Sequence, residues 1–308
     1  MRKKLEYFVF RLLQIILSVT PFWLLYFFSD VCSFVIQYIL RYRYKTVYSN
    51  LKASFPLKSK KRLRQITRNF YKNLCDIALE SIKGYSLNPE TILKRYKCIN
   101  PEIADKFFES GQDVIMAMSH YGNWEWGTQA ADSIFRHKVY AFYKPMSNNY
   151  INKFILKKRM NNKMQFISIY DSKFSIRSNH EKPKAYFMVS DQSPGSRKKA
   201  YWVKFLNHET ACLHGIESYA RLFNLPVIFC NVQRVKRGYY TIELKLLCPN
   251  PLITCVSEIT VLYMRALEKI IIAKPEDWLW SHRRWKMTAP SQVILKSKIR
   301  FYLKSYIK

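Results

Sequence analysis

The chain predicts an α/β fold, a mixed sheet with helical cover, preceded by an N-terminal membrane-anchoring helix. Three observations predict it. Through the middle of the chain, short apolar runs alternate with longer stretches of three- and four-residue hydrophobic spacing, the pattern of strands with helical cover. Near the start, residues 12–29 (LLQIILSVTPFWLLYFFS) hold 18 positions without a charge. Beyond residue 40 no repeat or low-complexity linker divides the sequence. The expected organisation is therefore an anchor over 1–40 and one α/β domain over 41–308.

The apolar segment is close to the roughly 20 residues that a spanning helix needs. No small-residue cleavage site follows it, which argues against a removable signal peptide. Pro21 can kink it or divide it in two. Arg2, Lys3, Lys4 and Arg11 precede it, while Arg41, Arg43, Lys45 and Lys52 follow. Positive charge at both ends leaves orientation balanced. The further run Lys58, Lys60, Lys61, Arg62 and Arg64 tips the main body toward the cytosol. A single span and a bent hairpin in one leaflet both fit, as does a buried first helix of a soluble protein.

Residues 58–84 read as a helix that is basic on one side, with Ile66, Phe70, Leu74, Ile77, Ala78 and Ser81 on the other. Strands are expected at 113–118, 138–143, 185–190 and 226–233, with helices at 124–136, 147–160, 211–224 and 257–273. The alternating run 239–247 reads as a hairpin partner of the strand before it. From Val293 the sequence VILKSKIRFYLKSYIK is basic and amphipathic. It suits either a packed terminal helix or a helix lying on anionic lipid.

Composition narrows the function classes. Hydrophobic residues form 49% and charged residues 24%, which suits a folded core rather than disorder. Lys and Arg total 52 against 21 Asp and Glu, a formal net charge of +31. Such a field attracts phosphates, acidic proteins or an anionic membrane surface. Nucleic acid is not expected: no helix-turn-helix, zinc-finger or RNA-binding signature is visible, and such a binder has no use for the apolar segment. Seven irregularly spaced cysteines without CxxC suit a reducing compartment, with neither a disulfide framework nor a metal site. His208 and His214 lack a convincing third ligand beyond Cys212, and HExxH is absent.

The stretch Met118-Ser119-His120-Tyr121-Gly122-Asn123-Trp124-Glu125-Trp126-Gly127 carries the chemistry. It follows an expected strand and opens an expected helix, with Asn123 suited to the N-cap. Positions five apart do not share a helix face. His120 in the loop and Glu125 in the first turn can nevertheless meet. A neutral imidazole would then take a proton from an attacking hydroxyl while the carboxylate orients it. With no GxSxG elbow, that hydroxyl belongs to the substrate, and acyl transfer to an alcohol follows. By itself HxxxxE equally suits a structural histidine and an acid complementing the helix dipole.

Further segments in order resemble the late acyltransferases of lipid A biosynthesis, the lauroyl and myristoyl type, within the glycerolipid-acyltransferase-like enzymes. They are Arg43 through Leu51 with Asn50, then Phe55-Pro56, the His120/Glu125 block, Tyr143-Lys144-Pro145, Arg159, Asp191-Gln192-Ser193-Pro194-Gly195, the segment from Lys204 to Thr210, and Trp278 through Lys286 with His282-Arg283-Arg284. The similarity covers nearly the whole chain. Lys144 stands where the family has an arginine, keeping the charge and losing the planar fork. The resemblance implies an acyl-acyl carrier protein donor, a lipid A precursor as acceptor, no cofactor, and the cytoplasmic face of the inner membrane. It makes His120 the general base and Glu125 its orienting acid. Asn123, Lys144, Arg159, Asp191, Gln192, Arg283 and Arg284 become substrate-binding residues. Arg159 equally suits support of the catalytic pair. Arg283, Arg284 and Lys286 suit either a phosphate or carrier site, or a surface basic patch with Trp278, Trp280 and Trp285 at the membrane interface. Other acceptors, such as a lysophospholipid, aminolipid or glycolipid, fit the same block, and a non-enzymatic basic membrane- or nucleic-acid-binding protein is the remaining alternative.

Overall fold

A computed structural model describes residues 1–160, 164–170, 182–197 and 200–289. The basic segment from Val293 lies outside the described residues. Seven strands build the main sheet: β1 (Tyr96–Cys98), β2 (Val114–Met118), β3 (Lys138–Tyr143), β4 (Gln165–Ser168), β5 (Lys184–Val189), β8 (Val227–Lys236) and β9 (Tyr239–Cys248). Their order is β1-β9-β8-β2-β5-β3-β4. Neighbours run parallel except β8 and β9, which form an antiparallel hairpin. The expected mixed sheet with helical cover is present, with the hairpin at 239–247 where alternation placed it. A second hairpin, β6 (Tyr201–Phe205) with β7 (His208–Cys212), stands apart from the main sheet. It takes the first residues of the helix expected over 211–224, leaving the helix to Gly215–Phe223.

β2 is buried along its whole length, as a parallel strand covered on both faces must be. Its alternate side chains feed two cores. Ile115 and Ala117 face one shared with α3 (Tyr44–Ser54), α9 (Gly215–Phe223), α10 (Glu258–Ala273) and the front of α4 (Lys60–Gly84). Val114, Met116 and Met118 face the other, under α5 (Pro89–Arg95), α6 (Glu102–Glu109) and α7 (Trp124–Ile134). Helix α8 (Asn149–Met160) lies between β3 and β4 in the chain.

The apolar N-terminal segment is divided at Pro21. Helix α1 (Arg2–Val19) ends at Thr20, and Pro21 is the N-cap of α2 (Phe22–Phe34), which continues as a π-turn over Val35–Ile39. Proline has no N–H to donate and fits the start of a helix rather than its interior. The stretch Phe22–Ile39 is long and apolar enough to cross a membrane by length and composition.

Helix α4 begins at Ser59, whose hydroxyl accepts the Arg62 N–H at 3.2 Å. Its apolar face, with Leu63, Ile66, Phe70 and Ile77, is buried. The same helix also buries Asp76, Glu80 and Lys83. These three receive partners from α1, α2 and the β8–β9 turn.

Candidate active site

Strands β2 and β5 are parallel neighbours in the register Met118 to Val189. Two residues beyond each pair member stand His120 and Asp191. The register therefore brings both to the carboxyl edge of the sheet, where open α/β sheets place their ligands. His120 Nδ1 lies 2.7 Å from Asp191 Oδ1, and the His120 backbone N–H donates to Oδ2 at 3.0 Å. Trp278 Nε1 donates to the same Oδ2 at 2.8 Å. Asp191 is 2% exposed, so each of these bonds matters to its charge. Burial acts to raise the Asp191 carboxyl, but His120 and Trp278 outweigh it and hold the group below the usual carboxylate range. An ionised carboxylate only accepts, so the proton of a neutral His120 sits on Nδ1. Nε2 then presents its lone pair, the state a general base requires.

The Gln192 amide lies 3.2 Å from Nε2, marking the edge at which a hydroxyl would approach. Trp124 packs edge-on against the His120 ring at 5.1 Å. Beside Trp124, a small hollow is lined by Phe70, Leu74, Ile77, Trp278 and Leu279 together with Asn73, Glu276 and Asp277. The loop after His120 turns through Gly122 at φ +61°, where a Cβ would stand 2.9 Å from Val232 Cγ1. Only glycine takes both that backbone and that approach without strain.

Glu125, expected to orient His120, makes no hydrogen bond with it. From the first turn of α7 it faces Arg159 of α8, with Nη2 at 2.6 and 2.5 Å from its two oxygens and Nε at 2.9 Å from Oε1. Tyr85 donates to Oε1 at 3.0 Å. The carboxylate next in sequence thus pairs with a guanidinium, and the one distant in sequence pairs with the histidine. Glu125 and Arg159 thus form a partly buried ion pair between α7 and α8.

Two of the residues expected to bind substrate are buried in hydrogen bonds within the chain. Asn123 is fully buried. Its Oδ1 accepts the Trp126 N–H at 2.9 Å, the N-cap its sequence position suggested, and its Nδ2 donates to Glu80 at 2.8 Å. Arg284 is 1% exposed and gives Nη1 to the Ala211 carbonyl at 2.6 Å, with Nη2 3.6 Å from Cys212 Sγ. It joins the closing segment to β7. Lys144 and Arg283 are exposed.

The tryptophans of the closing segment are likewise no interfacial belt. Trp278 and Trp280 are buried, and Trp280 Nε1 donates to Pro275 O at 2.6 Å. Trp285 Nε1 donates to Thr210 Oγ1 at 2.8 Å. The segment is irregular, so its carbonyls need donors from elsewhere. Asn50 Nδ2 serves Trp280 O and His282 O, each at 3.1 Å, and Arg43 Nη1 serves Ser281 O at 3.0 Å. The Asn50 and His282-Arg283-Arg284 motifs, 232 residues apart, are thus two sides of one contact.

Sequence reasoning missed the structural weight of Trp278 and His282. His282 Nε2 accepts the Ser193 N–H at 3.0 Å, which fixes the turn carrying Asp191 and Gln192. Burial, with Arg284 nearby, pushes its pKa down to about 4. A neutral ring is what that acceptor role needs. Among the described residues no group of His, Cys, Asp and Glu could hold a metal ion, and all seven cysteines are free.

A comparison with curated proteins gives no significant match. The family model for bacterial lipid A biosynthesis acyltransferases matches residues 2–287. With a match over nearly its whole length, this chain belongs to the bacterial lipid A biosynthesis acyltransferase family.

Proposed function

We propose that the protein moves a fatty acyl chain from acyl-acyl carrier protein to a hydroxyl of a lipid A precursor, on the cytoplasmic face of the inner membrane. The observation that carries this reading is the His120–Asp191 contact at 2.7 Å, which leaves Nε2 as the base. The acceptor hydroxyl approaches Nε2 at the Gln192 edge. As its oxygen bonds to the thioester carbonyl carbon, its proton passes to Nε2. The C–S bond then breaks, and the imidazolium returns the proton to the departing thiolate. Asp191 stabilises the imidazolium between these two transfers.

Glu125 serves the reaction through Arg159, holding the guanidinium as a fixed fork at the first turn of α7. There it orients the acceptor or one of its phosphates. Exposed Lys144 and Arg283 suit phosphate or the acidic carrier. No cofactor is required by this scheme.

The test is a transfer assay with acyl-carrier proteins of several chain lengths, each offered with a lipid A precursor or with a lysophospholipid. Acylated lipid A precursor, detected by mass, is expected. Transfer to the lysophospholipid alone would move the enzyme to another acceptor. Transfer to neither, with tight DNA binding that persists at high salt, would end the transferase reading.

A further inference from the structure

We propose that α1 and α2 form one two-helix surface that lies within a single leaflet of an anionic bilayer, and that neither helix crosses it. The inference rests on the membrane association proposed above and goes further, choosing between a span and a one-leaflet insertion.

The outward faces of both helices are apolar. Phe8, Leu12 and Ile16 on α1, and Trp23, Phe27 and Phe34 on α2, are each 49% exposed or more. Their spacing of four and seven residues places them on one side of each helix. Exposed apolar surface on this scale marks a contact with something apolar. Basic residues stand at its two ends, Arg2, Lys3 and Lys4 on one side and Arg41, Arg43 and Lys45 on the other. That charge is complementary to an anionic leaflet and not to a neutral apolar protein face.

The inward faces are polar and are used. Lys83 of α4 is 5% exposed, and its ammonium donates to the carbonyls at the end of α1: Leu17 at 2.9 Å, Ser18 at 3.1 Å and Thr20 at 2.8 Å. Gln14 donates to Ser86, and Asn148 donates to Lys3 O and to Glu6. On α2, Ser29 donates to Asp76 at 2.5 Å and Tyr26 to Glu80 at 2.9 Å, while Asp30 accepts from Arg237 at 2.9 Å. A crossing by Phe22–Ile39 would carry Tyr26, Ser29 and Asp30 into hydrocarbon, where an ionisable group is costly. It would also carry α1 to the far side and strip Lys83 and Asn148 of these partners. With both helices in one leaflet, the apolar faces are covered and the polar contacts stay. Tyr7 and Phe10 of α1 pack on Phe154 of α8, and Tyr85 packs on the same ring while bonding Glu125. The leaflet therefore lies one aromatic layer from the Glu125–Arg159 pair, and a lipid acceptor reaches the site from the side.

The test labels the full-length protein in membrane vesicles of both orientations with an impermeant maleimide. The exposed thiols are first removed by Cys32→Ser and Cys255→Ser. Lys3→Cys then reports the start of α1, and Ser110→Cys reports the body. Labelling of both from the same side is expected, and labelling from opposite sides overturns the proposal. A second measurement needs no topology. Leu12→Glu with Ile16→Glu should weaken binding to phosphatidylglycerol-rich vesicles at least about tenfold, the scale of losing one buried aliphatic side chain. Unchanged binding overturns the proposal, because α1 would then not touch lipid. Wild-type protein that leaves the membrane entirely in alkaline carbonate and ignores the vesicles also overturns it, while the transfer assay with dispersed acceptor still decides the chemistry separately.

Discussion

At the scale of residues, the two carboxylates near His120 have exchanged the roles that sequence distance suggests. Glu125 lies five positions away and binds Arg159, while Asp191 lies 71 positions away and binds the imidazole. Replacing His120 by Ala should lower turnover by about 10²–10⁴-fold, the usual contribution of a positioned base. Asp191→Asn should produce a loss of similar order. Double-mutant cycles should separate the pairs. His120 with Asp191, and Glu125 with Arg159, should each be non-additive, because each pair acts as a unit. Coupling of Glu125 with His120 instead would restore the pairing suggested by spacing. The motif around His120 was legible because local spacing and the N-cap at Asn123 are local signals. The partner was not, since it depends on which strands become neighbours and in what register.

At the scale of elements, the long strands were legible and the short ones were not. Val114–Met118 and Val227–Lys236 are apolar runs bounded by turns, and they stand out. Tyr96–Cys98 has three residues, too few for any period to show. The β6–β7 hairpin turns at Leu206 and Asn207, both at positive φ. Leucine does not announce such a turn as Asn-Gly would. The closing segment was legible as a motif but misread as surface, because tryptophan and arginine suit an interface and a buried contact equally. Its tie to the Asp191 turn depends on a neutral His282, and this gives a pH dependence. The folded pKa is about 4 and the ordinary value is 6.5. With a depressed folded value, the unfolded chain takes up the proton first as pH falls. The stability linked to this group is full above about pH 6.5 and is lost as pH drops toward 4. The midpoint of thermal unfolding should fall across that window, and His282→Gln, which does not titrate, should flatten the fall. A mutant curve parallel to the wild type would assign the acid loss to other groups.

At the scale of the whole molecule, the boundary near residue 40 separates compositions but not structures. Lys83, Glu80 and Asp76 are buried in the body, and each has a partner in α1 or α2. Deleting residues 1–40 should therefore destabilise the body itself, since a buried polar group left unpaired costs about 1–3 kcal/mol. Lys83→Met should recover part of that loss in the truncated chain, by removing the ammonium whose described acceptors are gone. A truncated protein with the full-length melting temperature would show that the two helices are independent of the body.

The net charge of +31 concerns encounter rather than fold. Arg283 is exposed and adjoins His282, which holds the turn carrying Asp191 and Gln192, while Lys286 is exposed three residues on. An acidic carrier protein delivering its acyl chain to His120 would meet these charges first. Charge at an exposed rim acts on association and is screened by salt over a Debye length of about 8 Å at physiological ionic strength. Arg283→Glu should thus raise KM for the acyl carrier about fivefold at low salt, the scale of one exposed ion-pair interaction of about 1 kcal/mol. It should leave kcat nearly unchanged, because its side chain does not contact the reacting atoms. Raising the salt should shrink the difference between mutant and wild type, as screening weakens the same attraction in both. Arg284→Ala should behave differently. Its guanidinium is buried against Ala211, so the expected loss is in thermal stability and is insensitive to salt. If Arg283→Glu lowers kcat at saturating donor, or its KM effect persists unchanged in high salt, the residue acts inside the site and not in steering the carrier toward it.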